Sequence, residues 1–448
     1  MVQDFEYRYA SASTAQVKDG STALLFAHCS EIIEENNVRC FFYGQIKDSF
    51  IVSKCMSALA RTVGSHYALT PSQIFYLKDP IVSVGNKEMR WEAFSSCNSV
   101  YARIDILENG IDGEFLQSGC TNIDFNSDTV RAFNTVTQKE KLSVSIGSKE
   151  VNISTERSST QEKKVKLPNR WIKGLGNVQV YLSSMELAFT LTKIEATQLF
   201  NTLPKTAVKG NYYLYKSGLS YQFSPSSKPG GLKIGGVHRL NLLQNLLLLT
   251  ESVSFYKSDD EQCVAVLLRF GNIRMSFLFS ESVYRGFSGE GKNLEALTEQ
   301  VSEELILGIN NFFKTNEVFH PTLISIEHDI PLTVMETLQS SLSSIGLLGY
   351  ELGDRQFFYR RLPFKLERLK SFNPRIQNAI KLVRDNEVTI LQQTDQYIKA
   401  EVKGSGDVLH MVIANNDVFQ CTCNWYTANK NNRGLCKHIL AVKMTLSK

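Results

Sequence analysis

Near the C-terminus, three cysteines and a histidine fall within eighteen positions of CTCNWYTANKNNRGLCKHILAVKM, residues 421–444. The donors are Cys421, Cys423, Cys436 and His438. Thiolates and neutral imidazoles are the usual ligands of Zn2+, which takes four of them in a tetrahedron. Cys421 and Cys423 are two apart at an expected strand end, so both side chains point to one face. Cys436 and His438 stand where the loop 424–435 enters an expected final helix, and its Asn, Lys and Gly content lets the chain turn back. Four protein ligands leave no open coordination position, so the spacing predicts a structural Zn2+ site and not a catalytic one. A short ββα unit of this kind has little core and is expected to depend on the ion. His410, the only other imidazole nearby, lies mid-strand and reads as packed or exposed. Cys29, Cys40, Cys55, Cys97, Cys120 and Cys263 have no partner spacing and read as core thiols.

Other arrangements that resemble chemistry fail on inspection. GFSGEGKN (286–293) has the G-x-x-x-x-G-K spacing of a phosphate loop, but Asn293 stands where a Ser or Thr should hold Mg2+. The preceding FLFSESVYR is not a continuous apolar strand, so a loop before a helix is the better reading. KPGGLKIGGVH (228–238) reads as paired turns between strands. Asp105, Asp112 and Asp124 lie near Cys120 in sequence, and turn capping is the expected role. No G-x-S-x-G, H-E-x-x-H or EF-hand loop occurs, and no catalytic residue is assigned.

The elements that must position the cluster belong to a chain of 448 residues, 43% hydrophobic and 21% charged, enough for several domains. Nine scattered cysteines, an odd number, fit thiols kept reduced. The N-terminal MVQDFEYRYASAS lacks the pattern of a signal peptide. The most apolar window, LNLLQNLLLLT, is shorter than the roughly 20 residues that cross a bilayer. A cytoplasmic protein is expected. Residues 1–155 read mainly as strands, in FEYRYA, VRCFFYGQI, SVYARIDIL and KLSVSIG. The polar stretch 154–168 marks a boundary, and 161–285 reads as a mixed α/β unit. Residues 291–362 read as three helices and a hairpin around Gly353 and Asp354, the outline of a winged helix. Pro321 opens the second helix and Gly346 ends the third. Residues 373–448 supply a helix, strands bent at Gly404, Gly406, Asn415 and Asn416, and the terminal ββα unit. The expected class is therefore α+β and multidomain.

Charge is uneven. Residues 354–448 hold 16 Lys and Arg against eight Asp and Glu, while the whole chain is only +4. Between Lys314 and Arg355 there is no Lys or Arg, so the expected recognition helix cannot grip phosphates. Nucleic acid would have to be met by the basic portion 354–448, with Phe357, Phe358, Tyr359, Trp425 and Tyr426 available to stack. Burial in the wing and finger is the expected fate of those rings.

C-x-C, twelve residues and C-x-H in a ββα setting resembles the SWIM zinc finger. Further stretches are similar to the bacterial SWIM proteins of three-component MoxR–vWA systems: WEAFSSCNSVYARI, SGCTNIDFN, KKVKLPNRWIKGLGNVQ, GYELGDRQFFYRRLPF and NPRIQNAIKLV. That resemblance implies a non-enzymatic adaptor acting beside a MoxR-type AAA+ ATPase and a von Willebrand factor A (vWA) protein. It implies no catalytic residues. The alternative is a nucleic-acid-binding protein that uses the basic C-terminal portion.

Overall fold

A computed structural model describes residues 14–18, 21–25, 40–67, 80–165, 167, 169–283, 286–289, 308, 311–313, 316–344, 346–362, 374–404, 406, 408–416, 418–431 and 433–446. The architecture is mixed α+β and multidomain, with several antiparallel sheets. In chain order the first part comprises β1 (Thr14–Lys18), β2 (Ser21–Leu25), β3 (Phe42–Ile46), α1 (Ser49–Gly64), β4 (Ile81–Val84), β5 (Met89–Phe94), β6 (Val100–Ile106), β7 (Ile111–Phe115) and β8 (Gly119–Asn122). Next come α2 (Ser127–Thr135), β9 (Leu142–Ile146), β10 (Glu150–Ser154), β11 (Ser159–Lys163), α3 (Asn169–Ser183), β12 (Glu186–Thr192) and α4 (Lys193–Phe200). Strands β13 (Asn211–Ser217), β14 (Ser220–Ser224), β15 (Leu232–Gly235), β16 (Ser252–Lys257), β17 (Cys263–Phe270) and β18 (Ile273–Ser280) follow.

One eight-stranded sheet, ordered β12-β16-β17-β18-β6-β5-β4-β8, organises this half. It crosses the boundary expected at 154–168: β6 pairs with β18, Ile273 opposite Ile106 and Phe279 opposite Val100. The physical reason is burial. Every residue of β5 and β6 is buried, and β18 is buried at all but one position. Strands covered on both faces need ladder partners on both edges, and only the later segment supplies the second. A five-stranded sheet, β11-β10-β9-β3-β7, stands beside it.

Two helices occur where strands were expected. In SFIVSKCMSALARTVG, Val52, Cys55, Met56, Leu59 and Val63 recur at helical spacing and are buried on one side of α1. In α2 the cap is Asn126, whose side chain accepts from the backbone of Asp128 and Thr129 at 2.9 and 2.8 Å; Asp124 is exposed.

The helical part runs β19 (Val318–Phe319), α5 (Pro321–Glu327), α6 (Leu332–Ser344), β20 (Leu348–Glu351) and β21 (Gln356–Tyr359), with sheet order β19-β21-β20. Pro321 begins α5 as expected, and Gly346 at φ +81° follows α6 in the left-handed region. The amphipathic helix expected between 293 and 314 falls almost wholly outside the described residues.

Charge fixes how the β20–β21 hairpin sits on the large sheet. Arg360, just after β21, donates from Nε and Nη2 to the two Glu92 carboxylate oxygens of β5, each at 2.6 Å. Tyr101 gives its hydroxyl to the same carboxylate. Arg103 donates to Asp105 Oδ2 at 2.8 Å and to the Tyr350 carbonyl of β20 at 2.7 Å. Arg90 pairs with Asp105 at 3.1 Å, and Arg274 with Glu351 at 2.9 Å. The Phe358 ring lies among three guanidinium groups, 4.1 Å from Arg90, 5.0 Å from Arg103 and 4.8 Å from Arg360, favourable contacts between cations and a ring face. Asp105 is thus a buried member of an ion lattice, not a turn cap. Burial pushes the Glu92 carboxyl up, but Arg360, with Arg103 and Tyr101 behind it, outweighs this and holds it below the usual range. At Asp105 burial wins over Arg103 and Arg90, and its carboxyl is raised.

The C-terminal part has its own core. It contains α7 (Pro374–Arg384), β22 (Val388–Gln393), β23 (Tyr397–Lys403), β24 (Leu409–Asn415), β25 (Val418–Cys421), α8 (Asn424–Asn429) and α9 (Lys437–Leu446). The strands form the sheet β22-β23-β24-β25. Ile376 and Ala379 of α7 and Ile439, Leu440 and Val442 of α9 pack on Ala400, Val402, Val412 and Ala414. This core is larger than a bare ββα unit provides.

Candidate metal centre

The four predicted ligands are brought together. Cys421 ends β25, on the strand face it shares with Val412 opposite. Two residues on, Cys423 caps the N-terminus of α8, its Sγ accepting the Tyr426 N–H at 3.5 Å. The segment expected as loop therefore begins as a short helix. It ends at Lys430, with φ of 43°, and the left-handed Asn431 and Gly434 turn the chain back. Cys436 precedes α9, its carbonyl accepting from Leu440 at 3.1 Å, and His438 stands in the first turn of that helix.

All four side chains are buried, and their ligand atoms lie within 4.8 Å of one another. His438 Nδ1 is 3.7 Å from Cys421 Sγ. A tetrahedron built with ordinary zinc–sulfur and zinc–nitrogen bonds has edges of about 3.6–3.8 Å. The cluster is compatible with a zinc ion. The three thiols perturb one another strongly. Hydrogen bonds from Cys421 and Cys436 hold the Cys423 thiol well below its usual range, while the Cys421 thiol, which donates to Cys423 and to Cys436, is raised. The Cys436 thiol is pushed up to about 11, the raising influences of Cys423 and burial outweighing the hydrogen bond with Cys421. A metal bound here would draw all three into the thiolate form.

Residues outside the four hold the frame. Arg375 of α7 stacks over Trp425, 4.5 Å from the ring centroid, and its Nη1 donates to the carbonyls of Arg433 at 2.9 Å and Leu435 at 3.3 Å. Trp425 Nε1 donates to the Gly434 carbonyl at 3.3 Å. Asn431 Nδ2 reaches the Phe419 carbonyl at 3.0 Å. Arg433 Nη2 donates to the Gly286 carbonyl at 3.2 Å, joining the loop to the body. Trp425 stands out in the sequence as an aromatic able to stack, not as a brace, and Arg375 looks like any arginine at a helix start.

The rival features fall elsewhere. Gly286–Gly289 is a single 3-10 turn, and 290–293, including Lys292, lie outside the described residues. Cys55, Cys97 and Cys263 are buried thiols, while Cys40 and Cys120 are half-buried and Cys29 lies outside the described residues. Asp112 is exposed on β7. Phe357, Phe358 and Tyr359 are buried, and Trp425 and Tyr426 are half-buried. Among the described residues, no helix is long and apolar enough to cross a membrane.

No protein-family model and no curated protein matches the sequence. Among solved structures, the chain is similar to the Proliferating Cellular Nuclear Antigen from Entamoeba histolytica, at 11% identity over 54% of this chain and 98% of that one, with a TM-score of 0.36. It is similar also to the PCNA2-PCNA3 complex from Sulfolobus tokodaii, at 8% identity, 54% and 99% coverage, and a TM-score of 0.40. Likenesses of this strength carry no argument about function.

Proposed function

We propose that Cys421, Cys423, Cys436 and His438 hold a structural Zn2+ in a SWIM-type finger, and that the chain is a non-enzymatic cytoplasmic adaptor. The observation that carries this reading is the closed donor set, four buried ligand atoms within 4.8 Å. Three thiols and an imidazole fill a tetrahedron, so no position is left for substrate or water. The partners, a MoxR-type AAA+ ATPase and a vWA-domain protein, rest on the resemblance of WEAFSSCNSVYARI and GYELGDRQFFYRRLPF alone. Those two stretches contain Glu92 and Arg360, which meet in the ion lattice.

The part 316–362 reads as a winged helix, with β19 pairing with β21 after two intervening helices. Its lack of Lys and Arg before Arg355 favours protein contact over a nucleic-acid groove. The nucleic-acid alternative is further weakened because three of its five stacking rings are buried.

Metal analysis of the purified chain should give one zinc per molecule, and Cys436→Ala should lose it. Full zinc retention by that variant would refute the ligand assignment. Affinity capture with the intact chain should recover both partner classes, and recovery of neither would sink the adaptor reading. No binding to single- or double-stranded DNA is expected at low salt; binding that falls steeply as salt rises would support the alternative.

A further inference from the structure

A second imidazole lies against the cluster without belonging to its four-donor set. The ring of His410, on β24, is 4.4 Å from that of His438 between centroids, the planes inclined by 41°. Space for it depends on Gly404, where a Cβ would come within 2.6 Å of both Cδ2 and Nε2 of His410. His438 turns Nδ1 toward Cys421 Sγ, and that leaves Nε2. This atom is buried and has no hydrogen-bond partner among the described residues.

An imidazole that gives one nitrogen to a cation carries its proton on the other. Left buried without an acceptor, that N–H is a destabilising group. Metal-bound histidines commonly donate it to an outer group, which fixes the ring and its tautomer. We infer that His410 is a positioning residue of the metal centre, packing on the His438 ring and accepting its Nε2–H through a small ring rotation or one bridging water. The inference rests on reading the cluster as a zinc site. It assigns His410 no bond to the metal.

The test uses the full chain and two variants, His410→Phe and His410→Gln. Zinc affinity is measured by competition with a chromogenic chelator, and the site is reported separately by the absorption bands of bound Co2+. His410→Phe keeps a ring but no acceptor and should lose about 10–100-fold in affinity, with shifted Co2+ bands. His410→Gln restores an acceptor and should recover most of the loss. Circular dichroism of the metal-free proteins should be the same for all three, which separates positioning from misfolding. Wild-type affinity in His410→Phe would overturn the inference. A His410→Gln variant as weak as His410→Phe would overturn the acceptor role. Failure of the wild-type chain to bind zinc would instead overturn the metal reading itself, and this inference with it.

Discussion

Two regions of the molecule bury polar groups that water would otherwise solvate, and they resolve the problem in opposite ways. In the lattice beneath β20–β21, carboxylates and guanidinium groups of the same chain answer one another, Glu92 with Arg360 and Asp105 with Arg90 and Arg103. In the tail, three thiols and an imidazole are gathered with no cationic side chain among them. The first region carries both signs of charge on one chain. The second is compatible with a cation from outside the chain. A lattice of the chain's own charges fixes orientation, whereas a borrowed ion would make local structure conditional on supply.

That contrast can be broken most severely at the tail. Cys436→Ala should abolish stoichiometric zinc binding and release α8 and the start of α9, seen as fast hydrogen exchange from 421 to 440. Structural zinc contributes on the order of 10 kcal/mol in small finger peptides. Here the core of α7, α9 and β22–β24 should keep its protection, since it is larger than such peptides possess. Loss of exchange protection in β5 and β6 as well would contradict the independence of the two regions.

The next effect lies in the lattice. Glu92→Gln leaves Arg360 buried without its charge partner and should destabilise the body by about 3–5 kcal/mol in denaturant unfolding. The double change Glu92→Leu with Arg360→Met should be far milder than the sum of the singles, because no unpaired charge remains. Additive losses would show that the pair does not act as a unit. Acid offers a smaller, reversible probe. Because the Glu92 carboxyl is held below its ordinary value of about 4.3, its contribution is complete above that pH and is lost as pH falls through the lowered value. Asp105, raised by burial, contributes with the opposite sign. The stability gap between wild type and Glu92→Gln should therefore narrow on acidification below about pH 4; a gap that widened would refute this sign. The smallest effect is expected at Arg375→Ala, which removes guanidinium bonds to the ligand loop and should weaken zinc binding by about 1–2 kcal/mol. Unchanged affinity in chelator competition would mean that the loop holds its shape without that brace.

How far each region could be read in advance follows from where its partners lie. The four candidate ligands sit within eighteen positions, and their residue types carry the chemistry, so spacing alone marks them out. The terminal helix, the hairpin around Gly353 and the turn at Asn416 were legible for the same reason: each is specified by neighbours. The lattice was not. Glu92 and Arg360 are 268 residues apart, and nothing local in WEAF or FYRRL names the partner. A trace does exist in YARIDI, a strand as expected, where Arg103 and Asp105 interrupt an apolar run; for Asp105 turn capping was the expected role. The large sheet was hidden likewise, because β6 and β18 lie on either side of an apparent boundary. Helix α1 differs: its apolar spacing is present in the sequence, but it is flanked by strand-like segments.

The hydrogen bond from Arg433 to the Gly286 carbonyl has a mechanical side. The next residue, Phe287, gives its N–H to the carbonyl of Asn98 at 2.8 Å, in the turn that joins β5 to β6. Tension on the last helix thus has a route, through a single arginine and one backbone bond, to the root of the two strands that carry Glu92 and Arg103. A machine that pulled on this tail would be tugging on the interior of the sheet and not on its rim.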